Sequence, residues 1–322
     1  MKKILLLIIC CLAMTCTSSF AQQDTRFSQY MFNNLAFNPA YAGSGDGLAL
    51  AALYRKQWVN IEGAPQTANL SAHSKVVEDG KVGLGLNLQF DEIGLTKVYS
   101  GFASYAYCLK SSRRGETPML NLGISAGATY MQKSLSEAQG NSVIDPTIDP
   151  IFNSGDDMSK VLPNFGLGAY YFLPNKYYIG LSVPRLLTNN FRDQDAAIEK
   201  IAREFRHYYV TAGMVFGDEI KLRPSVLFKM VPGNAPIQFD LSLMALFKET
   251  IWLGTSFRAD QGTAPESLDF IVALQLQNGV KIGYAYDLTL SDLSDYTTGS
   301  HEIMLSYDVK RESGRIKSPR FF

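Results

Sequence analysis

Residues 81–90 read KVGLGLNLQF, and the side chains change character at every step. Val82, Leu84, Leu86, Leu88 and Phe90 fall on one side; Gly83, Gly85, Asn87 and Gln89 fall on the other. Period two is the signature of a β-strand with one apolar face and one small or polar face. In a soluble sandwich the apolar face looks at a protein core. In a membrane barrel it looks at lipid, and the polar face looks at a lumen. Glycines on the second face suit a wall that another backbone approaches closely.

The same alternation recurs along the chain, for example in 119–130, 269–277, 281–288 and 301–309. Counting such stretches gives about fourteen strands. They lie near 46–57, 65–76, 81–91, 95–109, 117–133, 161–173, 176–183, 207–217, 220–230, 236–247, 250–258, 268–277, 279–288 and 300–309. Their lengths approach the ~9–11 residues that a tilted membrane-spanning strand needs, and an even number suits a single-chain bacterial barrel.

Connection lengths test this independently. If strand one is entered from the periplasm, the links after even strands are periplasmic and should be short. They read VEDGK, KSSRRGET, LPNK, GDE, KE and NG, mostly tight-turn sequences. The links after odd strands include the much longer 134–160 and 184–206. Only DEIG, the third hairpin, breaks the trend. A sandwich has no reason to sort its loops by parity. The expectation is an all-β fold, a transmembrane antiparallel β-barrel with the long loops outside. Thirteen strand tyrosines, including Tyr99, Tyr130, Tyr170, Tyr178, Tyr209 and Tyr284, suggest aromatic girdles at the two interfaces.

The chain opens with Lys2 and Lys3, an apolar run and small residues at Ser19 and Ala21. This reads as a signal peptide over 1–21, cleaved near Ala21. A lipoprotein signal using Cys16 is the rival, although the preceding AMT lacks the usual small residue. Cys108 is the only cysteine beyond this leader, which excludes an intramolecular disulfide in the remainder. The formal net charge is zero, which argues against a nucleic-acid partner.

Catalytic and metal chemistry find little support. His73, His207 and His301 lie on separate strands without ligand spacing. Ser71 and His73 share a strand face, as a nucleophile and base would, but no third member is marked. No phosphate-binding loop or nucleophile elbow occurs. The expectation is no enzyme, no cofactor and no metal. Residues 145–157 carry Asp145, Asp149, Asp156 and Asp157 without EF-hand spacing, and read as a solvated acidic loop. Residues 191–207 have helical spacing, with Ile198, Ile201 and Phe205 in a stripe, and suggest a short helix over the barrel mouth or a partner-docking helix.

Three stretches are not demanded by barrel physics: FSQYMFNNLAFNPAYAGS (27–44), YRKQWVNIEGAPQT (54–67) and SHEIMLSYD (300–308). The first is too apolar to hang in water. Residues 22–45 are therefore expected to plug the periplasmic end of a barrel spanning 46–310, or to dock a partner; 311–322 form a tail. The polar strand faces are mostly Gly, Ser, Asn, Gln and Thr, which suggests an occluded lumen rather than a charged constriction.

The sequence resembles the PorP/SprF family of outer-membrane proteins, found with the type IX secretion and gliding apparatus of Bacteroidetes. The resemblance rests on Asn38-Pro39-Ala40-Tyr41-Ala42-Gly43, Gln57-Trp58, Gly63-Ala64-Pro65-Gln66-Thr67, Ser300-His301-Glu302-Ile303 and the ending Pro319-Arg320-Phe321-Phe322. It implies a non-enzymatic barrel in the outer membrane. Such a barrel assists export or surface attachment of cargo proteins beside periplasmic or lipoprotein partners of the secretion system. The residues expected to carry motif, partner or plug contacts are Phe37, Asn38, Pro39, Tyr41, Arg55, Gln57, Trp58, His301 and Glu302. The alternative is a passive or substrate-specific outer-membrane transport channel.

Overall fold

The computed structural model describes residues 25–309 apart from 46, 77–80, 111–116, 134–157, 191–202, 233–235 and 263–264. The strands are β1 (Ala49–Lys56), β2 (Gln66–Lys75), β3 (Val82–Ile93), β4 (Thr96–Lys110), β5 (Met119–Lys133), β6 (Met158–Leu173), β7 (Tyr177–Val183), β8 (Asn189–Asn190), β9 (Arg203–Glu204), β10 (Tyr208–Met214), β11 (Ile220–Met230), β12 (Gln238–Phe247), β13 (Ile251–Asp260), β14 (Pro265–Gln275), β15 (Val280–Thr289) and β16 (Ser300–Asp308). All except β8 and β9 close into one antiparallel barrel of fourteen strands, each hydrogen-bonded to its chain neighbour. The seam joins β1 to β16 in continuous register, from Ala49 opposite Asp308 to Lys56 opposite His301. Closure satisfies every strand edge, as a lipid environment requires. No helix among the described residues is long and apolar enough to cross a membrane.

The two faces of the opening stretch resolve as expected. Leu84, Leu86 and Leu88 are 42–46% exposed on the outside, whereas Asn87 between them is 8% exposed and faces the lumen. The ends also differ as expected. At the turn end the links are short, such as 174–176, 248–250 and 276–279. At the loop end lie 57–65, 134–157, 184–207 and 290–299, with the links 94–95 and 261–264 as exceptions.

Residues 25–45 lie inside the barrel. They form three single turns of 3-10 helix, Tyr30–Phe32, Asn34–Ala36 and Pro39–Tyr41. Asn38 caps the third: its Oδ1 accepts from the Ala40 amide at 2.9 Å, and Pro39 occupies the first position. Phe27, Tyr30, Met31 and Phe37 pack against an apolar patch of the inner wall that includes Met244, Trp252, Ile271 and Met304. Leu35, Ala40, Tyr41 and Ala42 pack against a second patch with Ala106, Cys108, Tyr170 and Tyr178.

This segment reaches further than the periplasmic mouth at which the sequence placed it. Thr25 is tied to Asp91 and Gln89 near the loop end of β3. Ala42 and Gly43 press on Gly83 near the turn end of the same strand. Positions 83 and 91 are about 27 Å apart along a strand that rises ~3.4 Å per residue. The segment therefore runs the length of the lumen.

Three further expectations change. Tyr170, Tyr178 and Tyr209 face inward and are buried, so they belong to no girdle. Each sits in a Tyr-Tyr pair (170–171, 177–178, 208–209), and adjacent strand residues point to opposite faces, so one of each pair must turn in. Of the helix expected over 191–207, residues 191–202 lie outside the described residues; Arg203–Glu204 is extended and pairs with Asn189–Asn190. The acidic loop 145–157, the leader 1–21 and the tail 311–322 also lie outside them. The lumen, finally, is not poor in charge.

Candidate functional site

The inner wall brings together charges that are far apart in sequence. Arg55 on β1 is 1% exposed and pairs with Asp287 of β15 at 2.5 Å and with Glu302 of β16 at 3.5 Å. Its Nη1 also donates to Ser28 Oγ at 2.6 Å. Ser28 Oγ in turn donates to the Asp287 carboxylate at 2.8 Å. The backbone amides of Ser28 and Gln29 donate to the two oxygens of Glu302, at 2.8 and 2.9 Å. Ser28 is thus held from three sides, and the clamp draws on both strands of the seam.

Arg258 on β13 extends the network. Its Nε donates to Asp240 of β12 at 2.7 Å, and it lies 3.6–3.7 Å from Asp287 and from Asp269 of β14. Arg26 of the inner segment pairs with Glu266 and, at 3.2 Å, with Asp260. Buried charges are costly unless paired and hydrogen-bonded. Here Arg26 and Arg55 each meet carboxylates from two strands and Arg258 from three, so the network fixes the segment in one position as much as it stabilises it.

Neutral bonds continue the contact toward the turn end. The Tyr30 hydroxyl lies between Ser225 and Ser242, at 3.3 and 3.2 Å. Asn33 donates to Asn69 and accepts from Ser71, both at 2.8 Å. Arg223 donates to the Met31 carbonyl at 2.7 Å, and its guanidinium lies 5.4 Å from the Phe32 ring centroid. The Lys281 ammonium lies 4.6 Å from the same centroid. Asn38 donates to the Ala169 carbonyl at 3.0 Å, Ser182 to the Phe37 carbonyl at 2.8 Å, and Asn121 to the Ala40 carbonyl at 3.2 Å.

The inner-wall glycines make room for this. A Cβ on Gly123 would sit 2.5 Å from the Pro39 carbonyl carbon and closer still to Ala40. One on Gly83 would sit 2.7 Å from Gly43 Cα. Both clashes are with backbone, which cannot rotate away. Two residual cavities of about 40 Å³ each flank the segment, one near Phe27 and Phe37, the other near Tyr41 and Asp308.

The sequence-selected residues divide. Phe37, Asn38, Pro39 and Tyr41 are buried in the lumen; Tyr41 packs edge-on to Tyr170 and His73, and Phe37 packs on Phe27 and Tyr209. Arg55 and Glu302 hold Ser28. Gln57 and Trp58 lie at the loop end. Gln57 donates its amide to the Pro65 carbonyl at 2.9 Å, and the Trp58 amide donates to Ser300 Oγ at 3.2 Å. Trp58 has φ 45°. His301 faces outward beside Tyr284 and Tyr286, with Nδ1 2.7 Å from the Tyr284 hydroxyl, and does not touch the inner segment. Ser71 and His73 form no catalytic pair: Ser71 serves Asn33, and His73 Nδ1 accepts from the Gly43 amide at 3.2 Å. Arg258, Asp240, Asp269 and Asp287 escaped sequence reasoning. They lie on four different strands, and only register brings them together.

Fold and lumen together define an outer-membrane β-barrel occupied by its own amino-terminal segment. No curated protein sequence matches the chain. It belongs to the PorP/SprF family: the family model described as type IX secretion system membrane protein PorP/SprF matches residues 19–307. Among solved structures the chain is similar to the toluene transporter TbuX of Ralstonia pickettii, with 11% identity, TM-score 0.51, and coverage of 88% of this chain and 94% of that one. It is also similar to the monoaromatic hydrocarbon channel CymD, with 13% identity, TM-score 0.50, and coverage of 92% and 95%. At this identity the likeness is one of fold.

Proposed function

We propose that this protein is a non-enzymatic outer-membrane component of the type IX secretion system that assists export or surface attachment of cargo through protein partners. Those partners are periplasmic or lipoprotein components of the machine and a secreted or surface-anchored cargo. The leader is removed near Ala21, and the long loops face the cell exterior. Family membership supplies the system. The observation that carries the mode of action is the occupied lumen: residues 25–45 run through it, and Arg55, Asp287 and Glu302 clamp Ser28. A barrel closed in this way works through its surfaces rather than by free diffusion.

The hydrocarbon transporters of similar fold keep a transport channel in view as the competing reading. Two measurements separate them. Purified protein in a planar bilayer should show no steady open conductance, and a deletion strain should lose one or a few proteins from its secretome or surface. A large constant conductance with an unchanged secretome would favour the channel.

A further inference from the structure

We infer that the chain threads its own barrel, passing through the loop-end mouth at Thr25 and leaving by the opposite mouth, where β1 begins. The inference that the loop end is the cell exterior rests on the orientation proposed above. The contacts fix the direction of travel. At the loop end Thr25 Oγ1 donates to Asp91 at 2.6 Å and accepts from Gln89 at 3.0 Å, while Thr67 donates to the same Asp91 oxygen at 2.6 Å. Thr67 and Asp91 face each other in register across β2 and β3, one residue from the loop-end terminus of β2 at Gln66. On the other side of the lumen Arg26 reaches Asp260 and Glu266, which flank the loop-end link between β13 and β14.

The segment leaves the lumen at the other mouth. The Gly43 amide donates to His73, and Ala42 packs at Gly83, the two residues that flank the turn-end link between β2 and β3. Ser44 then leads to Ala49, the turn-end residue of β1, opposite His73 and Asp308. Between its ends the segment folds back once, Phe32 lying over Lys281 near the turn end and Phe37 returning to pack on Phe27 at 6.3 Å between ring centroids, but it enters and leaves the lumen by opposite mouths.

Two consequences follow. Thr25 and Val309 lie at opposite mouths of the barrel. The polar clamp on Arg26, Ser28 and Gln29 sits toward the same mouth as Thr25.

The test uses two tagged versions of the full chain. One carries an epitope between Gln23 and Asp24, the other an epitope after Phe322. In intact cells antibody should reach the first and not the second; after outer-membrane permeabilisation it should reach both. The opposite pattern would keep the threading and overturn the orientation. Exposure of both tags on one side would overturn the threading. Because a tag can disturb folding, a second measurement uses disulfide trapping in a Cys108→Ser background. Thr25→Cys with Asp91→Cys should cross-link in untagged barrel. Failure to do so, while Leu53→Cys with Met304→Cys cross-links across the seam, would refute the placement.

Discussion

Arg55→Met is the sharpest perturbation of the closed lumen. It keeps most of the side-chain volume and removes the cation between Asp287 and Glu302, which are 2.5 and 3.5 Å away. Breaking a buried ion pair by removing one partner typically costs about 3–5 kcal/mol, because the other charge is left uncompensated. Ser28 also loses the donor that reaches its hydroxyl, and the two carboxylates that hold it repel each other. The barrel ladder does not depend on Arg55, so most of the cost falls on the seated segment. At 1.4 kcal/mol per decade, the ratio of seated to released segment should drop by roughly 10²–10³·⁵. Single-channel recording of the purified variant should show openings that the wild type lacks. Retained heat-modifiable migration on gels would show that the barrel itself is intact. Adding Asp287→Asn should close the lumen again in part, since it removes one stranded charge. If Arg55→Met conducts no more than wild type and unfolds at the same temperature, the clamp does not hold the segment.

Other perturbations probe other parts. Gly123→Val should open the lumen as well, because its side chain overlaps the Pro39–Ala40 backbone; conductance and the unfolding temperature read it. Leu86→Arg, on the lipid face near mid-strand, should destabilise the inserted barrel by about 2–4 kcal/mol in lipid refolding titrations. Cys108 packs in the apolar patch under Leu35 and Ala40, so a maleimide should label it slowly in the intact barrel and rapidly after deletion of 25–42. Protease added to whole cells should cut within 134–157 and spare 77–80; cutting only after permeabilisation would invert the orientation.

The wall was legible because lipid imposes one rule on every strand. An outward residue must be apolar, so KVGLGLNLQF and its repeats carry the register openly. The inner face obeys no such rule. Its residues answer to whatever lies opposite, and that depends on register across the whole barrel. Arg258 shares IWLGTSFRAD with one other charge, Asp260, and nothing nearby announces Asp240, Asp269 or Asp287. The inner segment was visible as an anomaly, because a chain rich in Phe and Tyr before the first strand needs shelter. Its path was not, since short 3-10 turns have no period to read. His301 and Glu302 show the limit of motif reasoning: they are adjacent in sequence, yet one faces Tyr284 outside and the other Ser28 inside.

The seam gives the clamp a meaning in time. Arg55 and Glu302 stand directly opposite each other in the first and last strands, and Ser28 lies against both. The two strands that meet last are therefore the two that grip the chain's own beginning. Short 3-10 turns have few internal hydrogen bonds, so residues 25–45 acquire their shape only against a wall. A barrel that zipped shut first would have to admit a flexible strand through a mouth already narrowed by inward side chains. Closure around the segment instead lets Arg55 and Glu302 find Ser28 as they find each other. Completion of the cylinder and filling of its interior then become one event, and a barrel closed without residues 25–45 would leave Glu302 without the two amide donors that hold it.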